Sequence, residues 1–299
     1  MMREWTILGA GALGCTFAAL LTEQKRPVSL MLSDRRRRHF HPAFEFIALN
    51  ERRRLVSPHY RFAEQAADIE CLLVMTKAYQ VLPALGSLRG LSREVPVILL
   101  HNGMGIAEDV AKLLPHNPLL AGVTSHGALR EGNSQVRHTG KGETWLGPVN
   151  EKGKAFSPLT KPLASALGHA GWSEDILSLQ RRKLAINAVI NPLTACHNIY
   201  NGQLSEPRFA DVVEQLSQEV HTVLSALGET ETLEQYRRRL NSVIELTATN
   251  YSSMHQDLAH GRPTEIDYIT GYLLKHAGEL PVPVCQQLYQ EVKKHEGQA

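Results

Sequence analysis

Six residues near the start of the chain, Gly9-Ala-Gly-Ala-Leu-Gly14, come after a short apolar run, Trp5–Leu8, and open an Ala/Leu-rich stretch, Ala12–Glu23. Strand, glycine-rich turn and helix in that order leave little choice of fold. In the G-x-G-x-x-G pattern the first glycine permits a tight turn and the second lets a pyrophosphate approach the backbone. The third lets the helix pack on the strand. The helix start offers unpaired N–H groups and a positive dipole end to phosphates. The pattern alone is common, but a strand before it and a helix after it mark a dinucleotide site at the head of a βαβ unit.

The next hundred residues keep that rhythm. Strands are expected at Trp5–Leu8, Val28–Leu32, Cys71–Met75, Val97–Leu100 and Leu120–Val123, with helices at Ala12–Glu23, Tyr79–Leu85 and Ile106–Leu114. Alternation of this kind implies parallel strands with crossover helices. Ser134–Leu146 has β-like ends around Thr139-Gly-Lys-Gly142 and reads as a hairpin on the sheet edge. Beyond about Lys161 the strand signals fade. Helical patterns cover Lys161–Ala170, Leu177–His197, Ala210–Leu227, Leu233–Leu258, Ile266–Ala277 and Val284–Lys294, with a junction at Gly171–Asp175. A chain of 299 residues exceeds one typical core. The expected architecture is an α/β Rossmann domain over residues 1–174, then an all-α domain over 175–299.

The end of the second strand should read the ribose of the dinucleotide. Here it is Leu32-Ser-Asp-Arg-Arg-Arg-Arg38. Asp34 suits the free 2′-hydroxyl of NAD, whereas guanidinium forks suit the extra phosphate of NADP. Placed at this distance from the glycine motif, the arginines favour NADP(H), with contacts from Ser33 and Arg35. Without that motif a solvated charge run would be the better reading. The net charge of +2 does not by itself imply a nucleic-acid partner. No stretch approaches the roughly 20 apolar residues that span a bilayer, and Trp5–Leu8 is too short for a signal peptide. Cys15, Cys71, Cys196 and Cys285 are scattered, which argues against disulfides or a metal site and for a reducing cytoplasm.

A second constellation lies far downstream. Lys183, Asn187 and Asn191 are spaced by four and share one face of a helix whose other sides carry Leu184, Ile186, Val189 and Ile190. Asparagine is a poor helix-interior residue, so two on one face call for a reason; capping beside Pro192 is the plain one. Ligation of a substrate is the other, since carboxamides both donate and accept. Lysine becomes a proton donor near neutral pH if desolvation lowers its pKa. Thr76-Lys-Ala78 and His101-Asn-Gly-Met-Gly105 each come after a strand, where open parallel sheets bind ligands. Ser252–Asp267 completes the set.

With these segments in place the chain resembles the 2-dehydropantoate 2-reductase, or ketopantoate reductase, family. The motifs are GAGALG at 9–14, TKAYQ at 76–80, HNGMG at 101–105, KLAINAVINPLTA at 183–195, NG at 201–202, SSM at 252–254 and TEIDYITG at 264–271. The resemblance implies NADPH-dependent reduction of ketopantoate to (R)-pantoate, a step toward pantothenate and coenzyme A. It also implies a Rossmann domain followed by a helical domain like that of 6-phosphogluconate dehydrogenase. Carried over by position, it makes Lys183 the catalytic lysine and Glu265 the active-site glutamate. Gly9, Ala10, Gly11, Ala12, Leu13, Gly14, Lys77, Asn102 and Gly103 fall to the cofactor. Asn102, Lys183, Asn187, Asn191, Asn201, Ser253 and Glu265 fall to the substrate. One departure stands out: relatives commonly place an arginine directly after the second strand, where this chain has Ser33-Asp34 and reaches its first arginine at Arg35.

Ser253 has a bland alternative, back-bonding within its own helix, and Thr264 reads as an N-cap with Glu265 in the first turn. His101, His126 and His255 lack the spaced partners of a triad and read as structural or cleft-lining. The partners expected are a small-molecule substrate and at most a second copy (monomer or homodimer), with no nucleic acid and no membrane. Competing readings are an NADP-dependent reductase of another branched 2-oxo acid and a catalytically silent NADPH sensor. The sensor would be expected to have lost its proton donor.

Overall fold

The computed structural model describes residues 3–33, 43–132 and 134–297; Asp34, Arg35 and the arginines after them lie outside the described residues. The chain divides into two compact units. The first is Met1–His101 with Ile106–Ile176, and the second is Asn102–Gly105 with Leu177–Ala299. A short excursion of four residues therefore leaves the first unit and packs with the second, so no single boundary in the chain separates the two.

Twelve strands are described in the first unit: β1 Trp5–Leu8, β2 Val28–Met31, β3 Phe44–Ile47, β4 Arg53–Val56, β5 His59–Arg61, β6 Leu72–Val74, β7 Val97–Leu99, β8 Leu119–Thr124, β9 Gly127–Glu131, β10 Gln135–Gly140, β11 Thr144–Pro148 and β12 Ala170–Trp172. Eight form one sheet in the order β12-β11-β8-β7-β6-β1-β2-β5. β1 pairs in parallel with β2 on one side, Trp5 facing Val28, and with β6 on the other, Thr6 facing Leu72. The strand order reverses there, the crevice where doubly wound sheets hold ligands. β1, β2, β6 and β7 are buried throughout, as strands covered on both faces must be. Helices α1 Ala12–Glu23, α2 Ala78–Gly86, α3 Ala107–Leu113 and α4 Thr160–Leu167 belong to this unit. Trp5, Ile7, Phe17, Leu30, Leu73, Ile98 and Leu120 share its core.

The expected hairpin over Ser134–Leu146 is not what forms. β10 pairs antiparallel with β9 and parallel with β3 in a second sheet, β4-β3-β10-β9. β11 crosses back to the first sheet, antiparallel to β8. The glycine-rich Thr139-Gly-Lys-Gly142 is thus a crossing between sheets rather than a hairpin turn.

The second unit is helical: α5 Ile176–His197 (which starts at the boundary), α6 Ala210–Ala226, α7 Leu233–Leu246, α8 Ser253–Ala259, α9 Thr270–His276 and α10 Pro283–Glu296. α5 carries Leu184, Ala188, Val189 and Leu193 into a core with Leu216, Val220, Tyr236, Leu240, Met254, Ile266 and Leu288. The Tyr236 hydroxyl donates to the Ala185 carbonyl at 2.9 Å. Pro192 does not end the helix, which runs on to His197. The long helix expected over Leu233–Leu258 is broken after Leu246. Ser252 starts α8 afresh, its hydroxyl accepting from His255 N–H at 3.1 Å and from the Thr194 hydroxyl at 2.7 Å, an N-cap that outweighs continuation. No described helix is long and apolar enough to cross a membrane.

Candidate functional site

In the first unit the turn after β1 has the shape a pyrophosphate needs. Gly9 sits at φ +121°, where a Cβ would lie 2.8 Å from the Met75 carbonyl and the Thr76 nitrogen. A Cβ on Gly14 would come within 1.9 Å of the Gly9 oxygen. At Gly11, by contrast, an added Cβ meets nothing within 4 Å, so the space above the turn is open. Gly11 is also the N-cap of α1, and no side chain caps its first turn. Those amides are left for an anion. The turn therefore fits a dinucleotide. It has a support that no sequence pattern signals: Arg130 on β9 donates to the Ala10 carbonyl at 2.7 Å across 120 residues. Lys77 stands at the N-cap position of α2. Ser33 is exposed just beyond β2.

The second unit gathers Lys183, Asn102 and Glu265. Asn102 belongs here because Gly103 and Gly105 bring its segment against residues 265–272. At Gly103 φ is +79°, and a Cβ would lie 2.6 Å from Tyr268 atoms. Met104 N–H donates to the Tyr268 carbonyl at 2.8 Å. Lys183 Nζ then donates to Asn102 Oδ1 at 2.9 Å, and Asn102 Nδ2 donates to Glu265 Oε2 at 3.3 Å. A lysine can only donate and a carboxylate only accept, so the two neighbours fix which way the amide faces.

Lys183 is only half-buried by exposed area, yet loss of water around its ammonium dominates. Burial lowers its pKa to about 8, against an opposing pull from the Glu265 carboxylate. The ammonium is thus a protonated acid that gives up its proton readily near neutrality.

Beyond Lys183 on α5, Asn187 is half-buried and Asn191 is 6% exposed. Their carboxamides make no hydrogen bond among the described residues and are not among the fully buried polar atoms, so both are open to a ligand or water. This disfavours the capping reading beside Pro192. Asn201 differs: its Nδ2 donates to the Thr247 hydroxyl at 2.9 Å, leaving its buried Oδ1 without a partner among the described residues. Ser253 is exposed at the start of α8, while its neighbour Ser252 does the capping. Glu265 is 3% exposed. Glu265 itself occupies the N-cap position of the short turn Ile266–Tyr268; the Thr264 hydroxyl, the cap expected from sequence, accepts from Ile266 N–H at 3.2 Å.

The histidines have structural partners. His126 Nδ1 and His138 Nε2 lie 3.1 Å apart, and His255 Nε2 lies 2.6 Å from Asn198 Oδ1. Among the described residues no group of three His, Cys, Asp or Glu is placed to hold a metal.

The family described as ketopantoate reductase PanE/ApbA matches residues 5–151, and its C-terminal counterpart matches residues 175–296. The chain belongs to this family. It is 41% identical over 227 residues to the 2-dehydropantoate 2-reductase of Vibrio cholerae, covering 75% of this chain and 77% of that one. To the 2-dehydropantoate 2-reductase of Yersinia pestis it is 37% identical over 299 residues, 97% of this chain and 94% of that one. Among solved structures, a D-mandelate dehydrogenase with NADH and anilino(oxo)acetate aligns with a TM-score of 0.90 at 23% identity over 99% of both chains. A PanE/ApbA family ketopantoate reductase from Ralstonia eutropha JMP134 aligns with a TM-score of 0.87, also at 23% identity over 99% of both. At that identity the structures establish the fold: an α/β Rossmann-type unit followed by a helical one.

Proposed function

We propose that this ketopantoate reductase family member reduces 2-dehydropantoate to (R)-pantoate with NADPH, and that the chain Lys183–Asn102–Glu265 is its acid catalyst. The observation that carries the reading is the 2.9 Å contact from a desolvated ammonium to an amide held by a buried carboxylate.

Bound NADPH supplies the hydride for the carbonyl carbon. The open turn Gly9–Gly14 holds its pyrophosphate on the amides of α1. Lys77, Asn102 and Gly103 belong with the cofactor, as do Ser33 and Arg35. Lys183 Nζ gives a proton to the carbonyl oxygen as negative charge develops there, and its positive charge stabilises that oxygen beforehand. Asn102 holds the ammonium in line through Oδ1. Glu265 anchors Asn102 and keeps the lysine charged. Asn187, Asn191, Asn201 and Ser253 serve the carboxylate and hydroxyl of the substrate; of these, Asn187 and Asn191 have carboxamides without a partner among the described residues. The substrate is a small molecule, and the active species is a monomer or homodimer. Its cysteines are all free thiols, which suits a cytoplasmic protein.

The test is steady-state NADPH oxidation with ketopantoate beside a panel of other branched 2-oxo acids, repeated with NADH. Ketopantoate with NADPH should give the highest kcat/KM. A different 2-oxo acid with a higher value would reassign the substrate, and no turnover with any acid would leave an NADPH-binding sensor.

A further inference from the structure

Glu265 lies between two residues, Thr264 and Asp267, that are both held by one helix. Its own side chain meets Asn102 Nδ2 at the long distance of 3.3 Å, so its aim is sensitive to where its backbone is held. α10 holds the Thr264 backbone on one side of it and the Asp267 side chain on the other. Thr264 N–H donates to Glu296 Oε1 at 2.6 Å. Lys293 Nζ bridges Glu296 Oε2 at 2.7 Å and Asp267 Oδ2 at 3.2 Å. The Tyr289 hydroxyl donates to Asp267 Oδ1 at 2.7 Å. Residues 264 and 267, flanking Glu265, are thereby tied to three successive turns of one helix.

The helix is a firm support. Cys285, Leu288 and Val292 are buried in the core of the unit. Its first turn is fixed by Glu219, which accepts from Val284 N–H at 2.9 Å and Cys285 N–H at 2.8 Å. The Glu296 side chain is 14% exposed, so losing it leaves the Thr264 amide, whose residue is 4% exposed, without that acceptor. Burial pushes the Glu296 carboxyl up, but the hydrogen bonds from Lys293 and Thr264 outweigh it and hold it below the usual range.

We propose that Glu296 is a positioning residue: with Lys293, Tyr289 and Asp267 it forms a bracket that fixes residues 264–267 and so aims Glu265 at Asn102 and Lys183. The inference rests on Glu265 belonging to the proposed active site. The charged and titratable groups around the bracket are Glu265, Asp267, Tyr289, Lys293 and Glu296.

The experiment compares pH profiles of kcat/KM for NADPH-dependent ketopantoate reduction in the wild type, Glu265→Gln, Glu296→Ala and Glu296→Gln. Glu296→Ala should lose about ten- to a hundredfold, the factor for a lost hydrogen bond to a charged group. Its alkaline limb should move to lower pH, in the direction that Glu265→Gln moves it, because the lysine no longer feels its anion. Glu296→Gln keeps an acceptor for Thr264 and should recover most of the activity and the limb position. NADPH affinity, titrated directly by fluorescence, should not change in either. If Glu265→Gln shifts the limb and a folded Glu296→Ala does not, the bracket is overturned and the site stands. If Glu265→Gln leaves the limb in place, the site reading falls and the bracket falls with it. Should Glu296→Ala fail to fold, Tyr289→Phe carries the same test: a smaller shift in the same direction supports the bracket, and an unmoved limb overturns it.

Discussion

At Lys183 two opposed influences set the proton affinity, and the balance is visible in one residue. Burial draws the pKa to about 8 while the Glu265 carboxylate pulls it back up. Reduction needs the protonated amine, so kcat/KM should be level below that value and fall as pH rises through it. Lys183→Ala should lower kcat by roughly 10²–10⁴, the usual range for a lost general acid, and flatten the alkaline limb. A variant with near-normal turnover, or one that keeps the limb, would remove Lys183 from the chemistry. The lysine and the two asparagines were legible in the sequence because helical spacing of four is local information. The contact between Asn102 and Glu265 spans 163 positions, and nothing in residue order alone brings them together; the family resemblance named both but not the hydrogen bond that links them. Arg130 left no signal at all, since an arginine in a strand reads as surface charge until the turn it supports is seen.

Elements divide in the same way. Parallel strands such as β1 and β6, apolar almost throughout, announce themselves, as does α5. The second sheet did not, because β3 and β4 read as Phe44-Glu-Phe-Ile47 and Arg53-Arg-Leu-Val56, short and mixed in polarity. β10, which pairs with β3, is distant from it in sequence, so local pattern assigned it to the wrong hairpin. That sheet is joined to its neighbours by the buried pair His126 and His138, packed on Phe17 and Phe46. Burial lowers the pKa of His126 to about 4, with the His138 and Lys141 charges adding to it, and burial lowers His138 as well. Above the unfolded value of about 6.5 both states are neutral and pH has no effect through this pair. Below it the unfolded chain takes up protons that the folded pair refuses, so stability falls with pH until the folded His126 itself titrates. Urea midpoints measured between about pH 7.5 and 5, a window that spans the unfolded value, should therefore decline as the solution is acidified. In His138→Gln, which keeps a donor for His126, the decline should be shallower. An equal slope in the variant would mean the pair is not what acid attacks.

For the whole molecule the consequential fact is that each unit has its own hydrophobic cluster: Trp5, Phe17 and Ile98 anchor one, while Val189, Tyr236 and Leu288 anchor the other. Fold class was readable because both periodicities persist over long stretches. The excursion of Asn102–Gly105 into the second unit was not, since it depends on Gly103 and Gly105 adopting positive φ against Tyr268 and Tyr272. Two cores permit two separate openings, and a ligand stabilises only the state that binds it. NADPH at about a hundred times its dissociation constant adds about 2.7 kcal/mol to whatever opening releases it. If the glycine turn is the principal anchor, that gain belongs to the first unit. Hydrogen exchange with NADPH should then slow markedly in peptides covering β1, the turn and α1, and in β6. Those covering α6 and α7, which exchange through opening of their own core, should keep their free rates. Equal slowing in both units would show that they open as one cooperative body, and that the gain from NADPH is shared by the whole chain.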